Sequence, residues 1–497
     1  MTQQKHVMSQ SQETGLRDSI SSKFWGLQIS GQLVPGSEGA SFPVFDPADT
    51  LKIADVADAT IADGLAAISA AEAAADDWSR TAPRKRSDIL MRCWQLMTER
   101  AEWLAQLISM ENGKALPDAR GEVAYAAEFF RWYAEEGVRV LGEVGHAPGG
   151  ANRILVQHRP IGISVLVTPW NFPAAMATRK IAPALAAGCT CVLKPAAETP
   201  LTALAIGEIM TEAGVPAGVV NIVTTTRAGD VVGAMLQDPR VRKLSFTGST
   251  QVGRVLLRQA ADQVISCSME LGGNAPFVVM DDADLDLVIP QAMLAKMRNG
   301  GEACTAANRF IVQRGIHDAF VERIGKAMAA IKVGRGLDAD VECGPLVNPA
   351  SVAKVRGLVD DALGKGARLV SQAALPDSDG WYYAPTVLAD IPRDARIWSE
   401  EIFGPVVAVT AFDTEDEAIG LANETEYGLI SYVFSGDLGR ALRIGERIES
   451  GMVAVNRGLA SDPAAPFGGM KQSGLGREGS HHGLMEYVEP QYFAVSW

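Results

Sequence analysis

The residue best suited to nucleophilic chemistry is a cysteine that follows two glycines. Cys304 ends the run Gly300-Gly301-Glu302-Ala303-Cys304. Because glycine has no side chain, a ligand can approach such a segment closely and the thiol stays accessible. A thiolate is the strongest nucleophile among protein side chains. The alternative is a buried structural cysteine, and this segment alone leaves that alternative open.

Two polar residues have the chemistry to assist such a nucleophile. Glu270 ends a predicted strand just before Gly272-Gly273, where a partly buried carboxylate can act as a general base. Asn171 lies in a Pro-Trp-Asn-Phe-Pro run, where its amide can stabilise an oxyanion. The alternatives are a surface glutamate in a turn and an asparagine in a proline-bounded turn.

A further segment is suited to binding phosphate. Gly248 and Ser249 lie in the run Phe-Thr-Gly-Ser-Thr, which leads from a predicted strand into a predicted helix. Backbone N–H groups at a helix start face a bound phosphate. The run is not the three-glycine dinucleotide fingerprint, so by itself it does not identify a cofactor.

These segments belong to a regular alternation of strands and helices. Such an alternation predicts a parallel sheet that is covered by helices on both faces. Ligands bind at the carboxyl ends of the strands in such sheets, which is where Asn171 and Glu270 lie. The predicted strands are 161–167, 191–194, 219–223, 243–247 and 264–271, and the predicted helices are 174–187, 201–213, 229–237 and 251–261.

Three further features complete the predicted organisation. A second alternation runs from about residue 276 to 471 and includes a helix around residues 352–363. Apolar residues recur at helical spacing from Ile89 to Ile108, and Asn112-Gly113 ends that stretch. Residues 491–497 read as a strand without an obvious partner, and such a strand can pair with another subunit.

The composition limits the class of protein. A chain of 497 residues corresponds to about three structural units. The net charge of -14 argues against nucleic acid or an anionic membrane as partner. Six scattered cysteines favour a reduced, cytoplasmic protein rather than a disulfide framework, and six histidines form no metal-ligand spacing, so we expect no metal site. We expect no signal peptide and no membrane span.

Seven motifs together resemble the aldehyde dehydrogenase superfamily, and the resemblance runs from about residue 25 to the end. They occur in the order typical of that family. The motifs are Pro169-Trp170-Asn171-Phe172-Pro173, Leu193-Lys194-Pro195, Phe246-Thr247-Gly248-Ser249-Thr250, Glu270-Leu271-Gly272-Gly273, Cys304, Glu400-Glu401-Ile402-Phe403-Gly404-Pro405 and Pro466-Phe467-Gly468-Gly469.

The resemblance implies an α/β fold with a Rossmann-like dinucleotide-binding domain, an α/β catalytic domain and a small β flap for oligomerisation. We expect a flexible tail over residues 1–20. The cofactor domain would comprise residues 21–140 and 161–272, and the catalytic domain residues 273–471. The flap would comprise residues 141–160 and 488–497, in a homodimer or homotetramer.

The resemblance also implies a role for each site residue. Cys304 would be the nucleophile, Asn171 with the Cys304 N–H would hold the oxyanion, and Glu270 would activate the water that hydrolyses the thioester. A nicotinamide cofactor would bind in a cleft lined by Trp170 and Leu271. The residues implied for its binding are Trp170, Lys194, Ala197, Gly248, Ser249, Leu271, Glu401 and Phe403.

Within the superfamily, the motifs around Arg179, Arg298 and Ser461 resemble those of succinate-semialdehyde dehydrogenases. We call these three residues the carboxylate site, since in that group they hold the distal carboxylate of the substrate. Guanidinium groups bind carboxylates in bidentate fashion. The alternative is that both arginines form structural ion pairs. Arg457 adds a cation that would favour a longer acid such as glutarate semialdehyde.

Three positions depart from patterns common in the family. Glu302 stands where glutamine is usual, so we expect an added negative charge near the thiol. Ala197 stands where NAD-selective relatives carry glutamate, and this favours NADP, with NAD as the alternative. Ala306 replaces a second cysteine found in some relatives, which excludes a local disulfide switch.

The sequence leaves rival functions open. One is an aldehyde dehydrogenase of broad specificity, in which the arginines are structural. Another is a catalytically silent relative with a structural or binding role, which the intact Cys304, Glu270 and Asn171 argue against. A third is an enzyme that transfers the acyl group to CoA.

Overall fold

A computed structural model of the protein describes residues 10–496. Its helices and strands are numbered in chain order. The helices are α1 (Gln10–Ser21), α2 (Ile61–Arg80), α3 (Pro83–Glu99), α4 (Ala101–Asn112), α5 (Leu116–Glu136), α6 (Pro173–Ala187), α7 (Pro200–Glu212), α8 (Ala228–Gln237), α9 (Thr250–Ala261), α10 (Leu285–Met297), α11 (Arg314–Ala329), α12 (Pro349–Gly364), α13 (Arg396–Ser399), α14 (Glu415–Asn423), α15 (Leu438–Arg447) and α16 (Ser480–Met485). The strands are β1 (Leu27–Ile29), β2 (Gln32–Val34), β3 (Ser41–Phe45), β4 (Lys52–Ala57), β5 (Glu143–His146), β6 (Arg153–Pro160), β7 (Ile163–Val167), β8 (Cys191–Lys194), β9 (Val220–Ile222), β10 (Val241–Thr247), β11 (Ser266–Glu270), β12 (Ala275–Val279), β13 (Ala307–Gln313), β14 (Arg368–Gln372), β15 (Thr386–Ala389), β16 (Val406–Phe412), β17 (Tyr427–Gly428), β18 (Ile430–Phe434), β19 (Met452–Val455), β20 (Met470–Lys471), β21 (Gly474–Leu475) and β22 (Val488–Val495).

The first large sheet has the strand order β2-β1-β9-β8-β7-β10-β11-β21. Its five central strands, β7 to β11, are parallel, and the strands at both ends are antiparallel. Strands β7 and β8 are buried along their whole length, as expected for parallel strands with helices on both faces. The predicted elements between residues 161 and 271 are all present.

The second large sheet has the order β14-β15-β16-β13-β12-β18-β19. All its neighbouring strands are parallel except the pair β14 and β15. Apolar clusters cover this sheet, with Phe277 stacked on Phe434 at a ring distance of 4.6 Å. The expected α/β class, with two mainly parallel sheets and a small β flap, is confirmed.

The flap consists of the antiparallel strands β22, β6 and β5, in that order. Strand β22 contains most of the terminal strand that had no obvious partner in the sequence, and it pairs with β6 along its whole length, from Val488 opposite Pro160 to Val495 opposite Arg153. The other edge of β22 is free of strands in the described part of the chain. The sequence pattern by itself gave no partner, because more than three hundred residues separate the two strands, whereas the family resemblance placed both segments in one flap. The exact division into domains stays a prediction.

The expectation of a flexible N-terminal tail does not hold for its second half. A flexible tail was expected up to residue 20, but residues 10–21 form α1, whose Leu16 and Ile20 are buried in the core. Arg17 of this helix forms an ion pair with Asp46, with 2.8 Å between Arg17 Nη2 and Asp46 Oδ2. The first nine residues of that tail, like Trp497 at the far end of the flap, lie outside the described residues.

The helical stretch from Ile89 to Ile108 is two helices rather than one. Helix α3 ends at Glu99 and α4 begins at Ala101, with Arg100 in a non-helical conformation between them. Gly113 ends α4 with a φ of 93°, as predicted. Among residues 10–496, we find no helix with both the length and the apolar character needed to cross a bilayer.

Candidate active site

The loop that carries Cys304 bends sharply before the cysteine. Asn299, Gly300 and Gly301 have φ values of 57°, 59° and 80°, in the region that favours glycine. A side chain on Gly301 would lie 2.3 Å from the carbonyl oxygen of Gly404. These residues therefore allow the chain to turn from α10 and bring Cys304 to the start of β13.

One cavity collects most of the predicted site residues. It lies at the carboxyl ends of the strands of the first sheet, where the sequence predicted ligand chemistry. Its walls come from both large sheets. It is lined by Tyr125, Pro169, Trp170, Asn171, Phe172, Met176, Arg179, Thr247, Gly248, Ser249, Leu271, Gly272, Arg298, Cys304, Thr305, Lys354, Glu401, Phe403, Ser461 and Phe467.

The Cys304 thiol is partly accessible to this cavity but lies deep within the protein. Burial raises its pKa to about 12, while the positive charge of Arg179 opposes the shift. The nearby carboxylates of Glu401 and Glu270 raise it further. The resting site therefore favours the neutral thiol, and attack on a carbonyl requires that a proton leave first.

Asn171 lies between β7 and α6, and its backbone is fixed from two sides. Its carbonyl oxygen accepts hydrogen bonds from Lys114 Nζ at 2.7 Å and from Asn299 Nδ2 at 2.8 Å. Its own amide nitrogen donates to the carbonyl oxygen of Glu302 at 3.0 Å. An amide nitrogen carries two hydrogens, so one remains for an oxyanion in the cavity.

Glu270 ends β11, beside Thr247 of β10. Neither carboxylate oxygen has a hydrogen-bond partner among the described residues, although both are buried. Burial, together with the negative charge of Glu478, raises the pKa of Glu270 well above its ordinary value. Glu270 does not line the cavity itself, but its charge acts on the Cys304 thiol.

The three residues of the carboxylate site line the same cavity as Cys304. They are Arg179, Arg298 and Ser461. The Arg298 guanidinium lies 4.8 Å from the Phe172 ring centroid and 5.8 Å from that of Tyr125. Within residues 10–496, no carboxylate forms an ion pair with Arg298. This half-buried arginine is thus a cation held between aromatic rings.

Arg179 has a different environment, which the sequence did not reveal. Its Nε atom lies 2.5 Å from Glu478 Oε2, and both side chains are buried. Glu478 Oε1 also accepts a hydrogen bond from Lys180 Nζ at 2.5 Å. Burial by itself would raise the pKa of Glu478, but Arg179 and Lys180 together hold it below its ordinary value. Glu478 was missed because it lies 298 residues from Lys180 along the chain.

Six of the predicted cofactor residues line the cavity, namely Trp170, Gly248, Ser249, Leu271, Glu401 and Phe403. Trp170 and Phe403 meet edge to face, with ring centroids 5.4 Å apart. Ser249 caps α9 by accepting a hydrogen bond from Val252 N at 3.3 Å. The start of α9 lies at the cavity wall, since Gly248 and Ser249 line it, and a helix start is suited to binding a phosphate.

The other two predicted cofactor residues, Lys194 and Ala197, lie outside the cavity wall. Burial lowers the pKa of Lys194, and the nearby carboxylate of Glu198 partly offsets this effect. Glu198 is exposed. The carboxylate of Glu198 is therefore close to the ammonium group of Lys194. Glu198 lies one residue beyond position 197, where NAD-selective relatives carry their glutamate.

The effect expected from Glu302 is not found. Its side chain is buried, and its Oε1 atom accepts a hydrogen bond from Val347 N at 3.3 Å. Burial raises the pKa of Glu302 to about 8, and the positive charge of Lys114 opposes the shift. Glu302 is therefore mostly uncharged at neutral pH and adds no negative charge beside the thiol.

Several wall residues escaped the sequence analysis. Tyr125 and Met176 belong to none of the motifs quoted there, and Phe467 lies in one but was given no role. Lys354 of α12 is another, and its exposed ammonium group reaches the cavity from a surface helix. Arg457 is exposed and does not line this cavity, and its effect on substrate length stays a prediction.

Comparison with known proteins agrees with this geometry. The model of the aldehyde dehydrogenase family matches residues 33–493. The chain is 54% identical over 444 residues to a succinate-semialdehyde dehydrogenase of Paenarthrobacter nicotinovorans, which covers 89% of this chain and 99% of the relative. It is 46% identical over 470 residues to a glutarate-semialdehyde dehydrogenase of Pseudomonas putida, with coverages of 94% and 97%.

A solved structure is also similar to this chain. The crystal structure of a NADP-dependent enzyme of Escherichia coli superposes with a TM-score of 0.94 at 43% identity, and covers 99% of this chain and 100% of that one. These similarities extend over nearly the whole length of the chains compared. The chain therefore belongs to the aldehyde dehydrogenase family.

Proposed function

We propose that this protein oxidises succinate semialdehyde to succinate, with reduction of NADP+, through a thioester on Cys304. The observation that carries the proposal is the convergence of Cys304, Arg179 and Arg298 on one cavity. The thiol supplies a nucleophile for the aldehyde carbon. The two guanidinium groups supply positive charge for a carboxylate at the other end of the substrate.

The first step joins the thiolate of Cys304 to the aldehyde carbon. A C–S bond forms, and the carbonyl π electrons move to oxygen. The free hydrogen of the Asn171 amide and the backbone N–H of Cys304 donate to that oxyanion. Because burial favours the neutral thiol, we expect this step to become faster as the pH rises.

The residues around the cavity fit a nicotinamide dinucleotide. The first turn of α9 offers N–H groups for the phosphates, and Glu401 accepts a hydrogen bond from Gly273 N at 3.1 Å, which fixes its carboxylate at the wall. Trp170 and Phe403 form an aromatic wall beside the thiol. When bound, the nicotinamide ring supplies the hydride acceptor that makes the oxidation possible.

The last step releases the acid. Glu270, in its ionised form, takes a proton from water, and the resulting hydroxide attacks the thioester carbon. The C–S bond breaks, and Cys304 leaves as a thiolate while the carboxylic acid is released. Burial disfavours the ionised form of Glu270, so this step also requires a proton to leave the site.

Kinetics with a panel of short aldehydes test this function. We expect the highest kcat/KM with succinate semialdehyde and a value at least tenfold lower with butyraldehyde, which has the same chain length without the carboxylate. Each aldehyde is assayed by the absorbance of the reduced nicotinamide, with NADP+ and with NAD+. Equal efficiency with charged and uncharged aldehydes would instead identify an enzyme of broad specificity.

A second candidate substrate is glutarate semialdehyde. The similarity to the glutarate-semialdehyde dehydrogenase of Pseudomonas putida supports it, because that substrate differs by a single methylene group. The same panel separates the two. A higher kcat/KM with glutarate semialdehyde would keep the carboxylate site but change the assigned chain length.

The preference for NADP rests on Ala197, which places no carboxylate near a 2′-phosphate. The similarity to a NADP-dependent enzyme of Escherichia coli supports it. Glu198 acts against the preference for NADP, because its negative charge is close to Lys194. We expect Glu198→Gln to raise the preference for NADP and Ala197→Glu to lower it. A kcat/KM at least tenfold better with NAD in the unmodified protein would refute the preference.

We further propose that the chain forms a homodimer or homotetramer through the flap. Val144, Tyr492 and Phe493 are 74%, 56% and 39% exposed. Tyr492 and Phe493 are neighbours on β22, so they face opposite sides of the sheet. A three-stranded sheet with both faces open gains little from burial, and a second subunit would provide the missing cover.

A further inference from the structure

Asn299 has a backbone conformation that few residues adopt, five positions before Cys304. Its φ and ψ are 57° and 39°, in the left-handed region, and the side chain is buried. Asparagine tolerates this region better than most residues other than glycine. Its side chain can therefore be used at a place where the turn would otherwise favour glycine.

Three hydrogen bonds connect Asn299 to both halves of the site. Its backbone N–H donates to Asp118 Oδ2 at 2.9 Å. Its side-chain Nδ2 donates to the carbonyl oxygen of Asn171 at 2.8 Å and to that of Glu302 at 2.9 Å. Glu302 lies two residues before Cys304, so a single amide group links the Asn171 loop to the loop of the thiol.

The side-chain amide of Asn171 uses one of these two carbonyl groups. Asn171 Nδ2 donates to the Glu302 carbonyl oxygen, which Asn299 also contacts. The two asparagines therefore fix each other: Asn299 holds the backbone of Asn171, and both side chains hold the carbonyl of Glu302. Such mutual contacts restrict the distance between the Asn171 amide and Cys304 Sγ.

We propose that Asn299 is a positioning residue that sets the Asn171 amide at the correct distance from Cys304 for oxyanion stabilisation. This inference rests on the proposed oxyanion role of Asn171. Asn299 does not line the cavity, so it acts through Asn171 and the thiol loop. A misplacement of about 1 Å in such a site can cost about 100-fold in rate.

The variant Asn299→Gly isolates the side chain, because glycine adopts the same φ without strain and removes only the two side-chain bonds. We expect the single-turnover rate of nicotinamide reduction to fall about 10- to 100-fold, within the range found when an oxyanion donor is lost or displaced. The apparent Kd for the aldehyde and the affinity for cofactor should stay within about threefold, because the residue contacts neither.

Asn221→Ala is the matched control. Asn221 is also buried, and its Nδ2 donates to the carbonyl oxygens of Gly218 at 2.8 Å and Cys191 at 3.4 Å. Its loss should lower Tm but leave the single-turnover rate near that of the unmodified protein. A fall in rate that merely follows the fall in Tm across both variants would overturn the inference.

A double-mutant cycle with Asn171→Ala gives the decisive comparison. If Asn299 acts through Asn171, Asn299→Gly should reduce the rate by no more than about threefold once Asn171 is already alanine. If the two losses multiply in full, Asn299 acts independently and the inference is overturned, while the oxyanion role of Asn171 stands. If Asn171→Ala alone leaves the rate unchanged, that role fails and the inference fails with it.

Discussion

Glu302 illustrates how burial can remove the charge that a residue's type suggests. Its position, two residues before the nucleophile, suggested an added negative charge. The side chain is instead buried against the backbone of Val347, and burial raises its pKa to about 8. At neutral pH it resembles the glutamine that is usual in the family.

This shift predicts a specific pH dependence of stability. The pKa of Glu302 rises from 4.5 to about 8 on folding, so between these values the folded protein binds more protons than the unfolded chain. The contribution of Glu302 to the free energy of unfolding therefore falls as the pH rises from about 4.5 to 8. Glu302→Gln has no charge to lose, so its Tm relative to the unmodified protein should increase between pH 6 and pH 9.

The exposed Glu446 provides the control for this prediction. Glu446→Gln should give no pH-dependent difference in Tm, because its carboxylate stays in water. Thermal unfolding of the three proteins at pH 6, 7, 8 and 9 is the measurement. A Tm difference for Glu302→Gln that is constant across this range would contradict the buried, protonated state.

The two arginines of the carboxylate site should respond differently to substitution. Arg298 forms no ion pair within residues 10–496, so Arg298→Ala should leave Tm nearly unchanged. A charge-assisted hydrogen bond contributes about 1.5–3 kcal/mol, and its loss should lower kcat/KM for succinate semialdehyde by roughly 10- to 100-fold. Butyraldehyde should be affected little.

Arg179→Ala serves as the contrast. It should also reduce kcat/KM for succinate semialdehyde, but it leaves Glu478 buried with Lys180 as its remaining ion-pair partner. Breaking a buried ion pair costs about 3–5 kcal/mol, so Tm should fall clearly.

The two aldehydes also test the role of Arg298. If Arg298→Ala lowers kcat/KM equally for the charged and the uncharged aldehyde, Arg298 is a scaffold residue.

At the level of single residues, the sequence predicted chemistry better than environment. Cys304, Asn171 and the three residues of the carboxylate site do lie around one cavity. The partners that set their charges did not follow from any motif. Glu478 is distant in the chain from Arg179, and the burial of Glu302 depends on packing against another loop, which spacing does not encode.

At the level of elements, periodic patterns predicted the central sheet well and one helix boundary poorly. Strands β7 to β11 are short and mostly buried, and helices alternate with them along the chain. The break between α3 and α4 was not predicted, because the apolar spacing continues across it and Arg100 is not a helix-breaking residue. Helix α1 was missed because glutamine and serine dominate its start.

The end of α4 gives a prediction at this scale. Gly113 has a φ of 93°, and an added Cβ would lie 2.9 Å from Pro345 Cγ. Gly214, at the end of α7, has a φ of 96°, but a Cβ there would meet nothing within 4 Å. We expect Gly214→Ala to cost about 1–2 kcal/mol from backbone strain, and Gly113→Ala to cost more, because the clash adds to the strain.

Chemical denaturation of both alanine variants measures this difference. The comparison also bears on the site, since Lys114 follows Gly113 and donates to the Asn171 carbonyl oxygen. Gly113→Ala should therefore reduce the rate of nicotinamide reduction as well, whereas Gly214→Ala should not. Equal free energies of unfolding for the two variants would contradict the packing of Gly113 against Pro345.

At the scale of the whole molecule, the last part of the chain returns to the first large sheet. Strand β21 joins the edge of β11, and β22 completes the flap. Glu478, which pairs with Arg179, lies between these two strands. The parallel sheet followed from the alternation of elements, and the place of the last strand in the flap followed from the family resemblance. The pairing of β21 with β11 followed from neither, because a two-residue strand carries no signal for its partner.

The open flap predicts association of the protein in solution. We expect light scattering with size exclusion to give a mass two or four times that of the chain at micromolar concentration. Introducing a charge on one face, as in Phe493→Asp, should shift the protein towards smaller species, because the residue is 39% exposed in one chain and would be covered in the oligomer. A monomer at every concentration would contradict this account of the flap.

The central claim is that the oxidation passes through a thioester on Cys304 that Glu270 helps to hydrolyse. The most direct measurement is mass spectrometry of acid-quenched Glu270→Gln after mixing with succinate semialdehyde and NADP+, with Cys304→Ala as control. We predict a rapid burst of reduced cofactor and a succinyl group on the peptide that contains Cys304, and neither with Cys304→Ala. Steady turnover of Glu270→Gln at the normal rate, or reduced cofactor formed by Cys304→Ala, would contradict the claim.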